Sequence, residues 1–115
     1  MDEARWPGEW LRGALGLCVL GVLADEPTYG YAISQRLIEV GLGTVKGGTL
    51  YPLLARFEKE GLVESSWHVG DAGPGRKYFT LTDAGRRELA DRSHDWDRFV
   101  AATRRTLPTT SQETS

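Results

Sequence analysis

At Gly61 the hydrophobic period of this chain switches from that of a helix to that of a strand, and short helices joined by short turns before one hairpin have few compact solutions. Before it, Leu50, Leu53, Leu54 and Phe57 fall at i, i+3, i+4 and i+7, which puts all four on one face of a helix read from about Gly48 to Glu60. Gly61 is the residue type that closes a helix in the left-handed conformation. Pro52 falls near the first turn, where its missing N–H removes little. After Gly61, Val63, Ser65, Trp67 and Val69 alternate with Glu64, Ser66 and His68, the period of a strand. Gly70-Asp71-Ala72-Gly73-Pro74-Gly75 is a turn-rich loop, and Arg76 to Leu81 reads as the returning strand of a β-hairpin.

Two helices precede this unit and one follows it. From Glu9 to Ala24, Leu11, Leu15, Cys18, Val19, Val22 and Leu23 recur at helical spacing, with Gly13, Gly16 and Gly21 weakening the helix or permitting close helix contact. Asp25-Glu26-Pro27 ends it, and Thr28 suits the N-cap of a second helix running to about Val40. Ile33, Leu37 and Val40 share a face of that helix, and Gly41-Leu42-Gly43 turns the chain. Thr82 caps a last helix from Asp83 to about Thr106. Leu89, Trp96, Phe99, Val100, Thr103 and Leu107 mark one of its faces, and arginines and aspartates largely mark the other.

Three helices, a hairpin and a final helix define an α+β class, mainly α. The arrangement is a winged helix-turn-helix with a C-terminal dimerisation helix. The chain divides into a flexible arm (1–8), the winged helix-turn-helix (9–82), the C-terminal helix (83–107) and a polar, disordered tail (108–115).

At 115 residues the chain is long enough for one hydrophobic core. Its single cysteine, Cys18, excludes an internal disulfide and fits a reducing cytoplasm. Leu15 to Ala24, the longest apolar stretch, is interrupted by glycine and too short to span a membrane. Asp2 and Glu3 before Arg5, with no clear cleavage site beyond, argue against a secretory signal. The net charge of −2 does not announce a nucleic-acid partner, so the placement of the cations has to carry that reading.

That placement is specific. A helix fits the major groove of double-stranded DNA with its first turns nearest the bases. On the third helix Thr49, Pro52, Ala55, Arg56 and Lys59 point away from the leucine stripe, with Tyr51 at its edge. Gly47 and Gly48 let the backbone approach a phosphate, free N–H groups at a helix start favour an anion, and Lys46 stands just before them. The hairpin tip carries Arg76 and Lys77 on a narrow loop suited to phosphate contacts. Tyr29, Gly30 and Tyr31 at the start of the second helix form a third element. Each of these has an ordinary structural reading: a solvated turn, a core-edge tyrosine or a plain glycine turn. Co-location in one docking pose is what favours the DNA reading.

At these residues the chain resembles the PadR family of bacterial transcriptional regulators. The resemblance is carried by Tyr29-Gly30-Tyr31-Ala32-Ile33, by the run from Gly48-Thr49-Leu50-Tyr51-Pro52-Leu53-Leu54 to Glu60-Gly61-Leu62, and by Arg76-Lys77-Tyr78-Phe79-Thr80-Leu81-Thr82-Asp83-Ala84-Gly85. It extends from about Trp10 to Thr106. Ala32 and Phe57 depart from the acidic residue and the leucine common in the family. The resemblance implies a homodimer that represses promoters through a palindrome-like operator. It also implies recognition by Thr49, Tyr51 and Pro52, with Arg56 beside them, and backbone contacts from Tyr29, Arg76 and Lys77. Dimerisation would fall to the first and last helices, here Leu11, Leu15, Leu89, Trp96, Phe99, Val100 and Leu107. In some members planar aromatic effectors stack at that interface, a role open here to Trp10, Trp96 and Phe99.

A dimer also follows from contact number, because one protomer makes too few contacts for specific binding. The competing classes are poorer fits. His68 and His94 are the only histidines, Cys18 lies in an apolar stripe, and Asp95 and Asp97 at i,i+2 diverge on a helix, so no catalytic set is visible. The same scatter argues against a metal-sensing repressor, and neither metal nor cofactor is expected. A winged-helix protein-interaction module remains the third alternative, separated from the first by salt-dependent DNA binding.

Overall fold

The structure is a computed structural model that describes residues 6–69, 73 and 75–109. The elements run α1 (Gly8–Asp25), β1 (Thr28–Tyr29), α2 (Gly30–Glu39), α3 (Gly47–Lys59), β2 (Val63–His68), β3 (Arg76–Leu81) and α4 (Asp83–Arg104). β3 is the central strand of a three-stranded antiparallel sheet ordered β1-β3-β2. The helices of the first half and the hairpin enclose one core. Leu20, Ile33, Leu37, Leu50, Leu54, Phe57 and Val63 are fully buried there. Each such side chain contributes about 1.5–3 kcal/mol relative to exposure.

α1 lies at the centre of the packing and touches α2, β3 and α4. This explains one departure from the helical-stripe reading and one from the dimer residues that the resemblance implies. Leu20, outside the expected stripe, is fully buried, because α1 is covered from several directions. Leu15, expected at a dimer interface, is only 5% exposed and belongs to the core of its own protomer. Leu11 is half-buried, and Leu89 on α4 is a partly buried neighbour of the same core.

Local chemistry sets the ends of the elements. α2 and α3 stop in the same way. Gly41 (φ 97°) and Gly61 (φ 78°) take the left-handed conformation. The N–H of the next residue then reaches back to a carbonyl in the last turn, Leu42 to Leu37 and Leu62 to Phe57, each at 2.9 Å. Thr82 caps α4 as its residue type indicates, its Oγ1 accepting from the Gly85 N–H at 3.0 Å. The same hydroxyl donates to the Gly61 carbonyl at 2.7 Å, so the end of α3 and the start of α4 share one junction.

Thr28 is not a helix cap. Thr28 and Tyr29 instead pair with Phe79 and Tyr78, adding a third strand, and α2 starts without a side-chain cap. Pairing with the edge of β3 takes the place of the capping bond. Pro52 sits deeper than the first turn, since α3 begins at Gly47, and the Gly48 carbonyl has no i+4 N–H to accept from. α1 begins at Gly8, one residue earlier than expected. Trp6 is tied down by its indole N–H, which donates to the Gly41 carbonyl at 2.9 Å. The rest of the expected arm (1–5), most of the wing tip (70–72 and 74) and the end of the expected tail (110–115) lie outside the described residues.

The alternation read along β2 continues geometrically, but burial does not follow it. Val63 is buried, Ser65 is half-buried, and Trp67 and Val69 are exposed. The hairpin outruns the core beyond Ser65. No helix among the described residues is long and apolar enough to cross a membrane.

Candidate nucleic-acid interface

α3 turns its outer face to solvent as its wheel indicates. Lys46, Gly47, Gly48, Thr49, Tyr51, Pro52, Ala55, Arg56 and Lys59 are all exposed, while Leu50, Leu53, Leu54 and Phe57 are buried. The Tyr51 ring is seated on two glycines. A Cβ at Gly30 would run into the ring and hydroxyl of Tyr51, and one at Gly47 would stand 3.4 Å from its edge. The absence of a side chain at Gly30 thus leaves the room in which the Tyr51 ring lies against the start of α2. Tyr51 nevertheless remains 52% exposed.

Across from Tyr51 stands the tip end of the hairpin. A groove of about 420 Å³ is lined by Tyr29, Gly30, Tyr31, Tyr51, Trp67, Gly75, Arg76 and Lys77. Three segments far apart in sequence thus meet on one side of the molecule: the start of α2, the first half of α3 and the hairpin. The Arg76 guanidinium lies over the Tyr29 ring at 4.6 Å, and that ring packs against Tyr78 at 5.3 Å. Lys77 Nζ is 3.8 Å from Glu58 Oε1, and Glu58 Oε2 accepts from Ser65 Oγ at 2.6 Å. Glu58 of α3 therefore ties both hairpin strands to the helix and orients Lys77, while Arg76 rests on Tyr29. Lys46, Thr49 and Pro52 do not line this groove and stand on the adjoining open surface of α3.

Arg56 is brought elsewhere. It lines a second groove, about 460 Å³, between α1 and α4, with Arg12, Gly13, Gly16, Leu17, Arg92, Asp95, Trp96 and Phe99. Its guanidinium is 5.5 Å from the Phe57 ring centre and its Nε is 3.9 Å from Glu60. The Trp96 and Phe99 rings are 5.7 Å apart, while Trp10 is exposed and does not line this groove. Trp67, conversely, lines the first groove and was not singled out as a contact. Its signal was an aromatic at the solvent end of a strand, which a period-2 reading assigns to the interior.

Among the described residues no group of three or more His, Cys, Asp or Glu is arranged to hold a metal ion. Burial pushes the Cys18 thiol up, away from the reactive thiolate.

The family model described as the transcriptional regulator PadR-like family matches residues 19–91, from within α1 into α4. The chain belongs to the PadR-like family. This is a family of transcriptional regulators, not of enzymes. Among its relatives, the transcriptional regulator Rv3488 of Mycobacterium tuberculosis is 39% identical over 83 residues, spanning 72% of this chain and 76% of that one. A PadR family regulator of Eggerthella lenta superposes with a TM-score of 0.80 at 38% identity, covering 88% of each chain. A PadR-like regulator of Bacillus cereus gives 0.77 at 34% identity, covering 88% of this chain and 98% of that one. The helices and small antiparallel sheet described above are thus the winged-helix fold of PadR-like regulators.

Proposed function

We propose that this PadR-like protein binds double-stranded DNA as a two-fold homodimer and represses transcription by occupying a palindrome-like operator. The observation that carries the reading is the single groove joining the start of α2, Tyr51 of α3 and the Arg76–Lys77 wing. In that reading α3 enters the major groove and presents Thr49, Tyr51 and Pro52 to base edges. Lys46, Gly48, Tyr29 and Tyr31 hold the adjacent phosphates, with Arg76 and Lys77 gripping the backbone beside the wing. Arg56 drops out of the base-reading set, because its side chain faces the α1–α4 groove.

The second half of α4 supports dimerisation. Phe99 (59% exposed) and Val100, on a helix 22 residues long, and Leu107 just beyond its end are uncovered by their own protomer. An apolar face of that kind marks a partner surface, and a two-fold axis through it sets two reading helices about one DNA turn, roughly 34 Å, apart. Leu15 plays no part in it. A small planar aromatic effector fits the α1–α4 groove, where Trp96 and Phe99 supply stacking surface. Such a compound regulates only if it binds the DNA-competent and incompetent dimers with different affinity.

A gel-shift titration with the duplex upstream of the protein's own gene, repeated from 50 to 200 mM salt, tests the reading. Retardation with a steep loss of affinity across that interval is expected. Absence of retardation on any duplex, or binding indifferent to salt, would favour a protein-interaction module instead.

A further inference from the structure

We propose that Trp67 is a DNA-backbone contact that packs its indole on a deoxyribose and donates its Nε1–H to a phosphate oxygen. The inference rests on the DNA-binding reading and adds to it a residue outside the expected contact set. It begins with the hairpin register, which pairs Val63 with Leu81, Ser65 with Phe79 and Trp67 with Lys77. These three pairs share one face, the face toward the core. The first is buried, and in the second Phe79 is buried while Ser65 is held by Glu58. The third lies past the end of the core, and Trp67 is left 70% exposed.

An indole in that position gains little from folding, since most of its surface stays in water. Its surroundings supply a different use. It forms the hairpin wall of the groove whose opposite wall is Tyr31 and Tyr51, and Lys77 is its cross-strand partner. Gly75 lets the returning strand pass close by: a Cβ there would stand 3.3 Å from the His68 carbonyl and 3.6 Å from the Trp67 ring. The returning backbone thus borders the ring at the groove's edge. Tryptophan carries one donor, no acceptor and a broad apolar face. That chemistry matches a phosphate oxygen and a sugar face. It does not match the donor–acceptor pattern of a base pair, so the contact positions the protein without reading sequence.

The chemistry makes a distinctive expectation. Trp67 is neutral and releases no counterions, so its removal lowers affinity without changing the salt dependence. Trp67→Ala should weaken binding of the two-fold dimer about 100-fold, about tenfold for each of the two hydrogen bonds to a charged group, on the upstream duplex and on a mixed-sequence duplex alike. The slope of log affinity against log salt should stay that of the wild type. Trp67→Phe should fall between the two, keeping the apolar contact and losing the donor. The change in tryptophan emission on saturation with DNA should largely vanish in Trp67→Phe.

Thermal melts of both variants check folding, and the exposure of the residue predicts little change. Unchanged affinity of Trp67→Ala, a loss confined to one duplex, or a flattened salt slope would each overturn the assignment while leaving DNA binding intact. Failure of the wild type to bind either duplex would overturn both readings.

Discussion

Removing both wing cations gives the most quantitative test of how this protein meets a duplex. In a two-fold dimer the Arg76→Ala, Lys77→Ala double variant deletes four positive charges from the proposed interface. Each phosphate neutralised contributes about 0.9 to the slope of log affinity against log salt, so four contacts contribute about 3.6. The two residues start from different states. Arg76 stacks on Tyr29 and forms no ion pair among the described residues, so it is available to a phosphate outright. Lys77 stands 3.8 Å from Glu58, and its contribution is shared with that carboxylate. If only Arg76 counts fully, the slope falls by about 1.8; if both do, by about 3.6. Between 50 and 200 mM salt the wild type should therefore lose about 10- to 150-fold more affinity than the double variant. Fluorescence anisotropy across that range measures it. Stability should change by no more than about 1 kcal/mol, since the Lys77–Glu58 pair is solvent-exposed and such pairs contribute little. A double variant with the wild-type slope would refute the placement of the wing on the backbone.

Three further outcomes follow from other parts of the structure. Tyr51→Ala should lower affinity for the upstream duplex about tenfold more than for a mixed-sequence one, because Tyr51 stands where base edges are read; equal losses on both would remove it from the reading set. Gly85→Ala should destabilise the fold by about 1–3 kcal/mol, because the new methyl would be driven into the Leu62 carbonyl and the Leu81 side chain at the shared α3–α4 junction. Gly21→Ala, with open space around it, is the control and should be neutral or stabilising by up to about 1 kcal/mol; a thermal midpoint that rises in Gly85→Ala would show the junction to be looser than described. Trp96→Ala should abolish quenching of tryptophan emission by planar aromatic compounds, and quenching that persists would exclude Trp96 as the stacking residue.

The helices and the hairpin were legible because each is written in a local period. Leu50, Leu53, Leu54 and Phe57 specify the buried face of α3 without reference to anything else, and all four are buried. The stops at Gly41 and Gly61 and the cap at Thr82 are equally local, since each needs only its own residue type and the carbonyls or N–H groups within one turn. β1 was not legible for the opposite reason. Two residues carry no period, and what makes Thr28 and Tyr29 a strand is the edge of β3, some fifty positions away in sequence. Leu20 fails in the same way, while Leu15 lies in the stripe as read and departs only from the dimer role that the resemblance implies. A helical wheel describes a helix with one covered side, whereas α1 is packed by α2, β3 and α4 together.

Arg56 and Trp67 show where the same limit reaches the site. The wheel of α3 assigned Arg56 to the outside and Tyr51 to the edge of the leucine stripe, and both are exposed. A wheel has no record, however, of what stands beyond the helix on each part of its outward arc. In the structure that arc is divided between two neighbours. The hairpin faces Tyr51, and the α1–α4 groove faces Arg56. One helix therefore borders both the proposed DNA groove and the proposed effector groove, with Phe57 between them in the core, where Arg56 and Arg92 both approach its ring. Trp67 is the converse case. Its strand period points it inward, yet the core ends one pair of residues before it, so the inward direction leads into the groove. In both instances the side chain's direction was readable from sequence and its destination was not, because the destination belongs to elements that only the folded chain brings alongside.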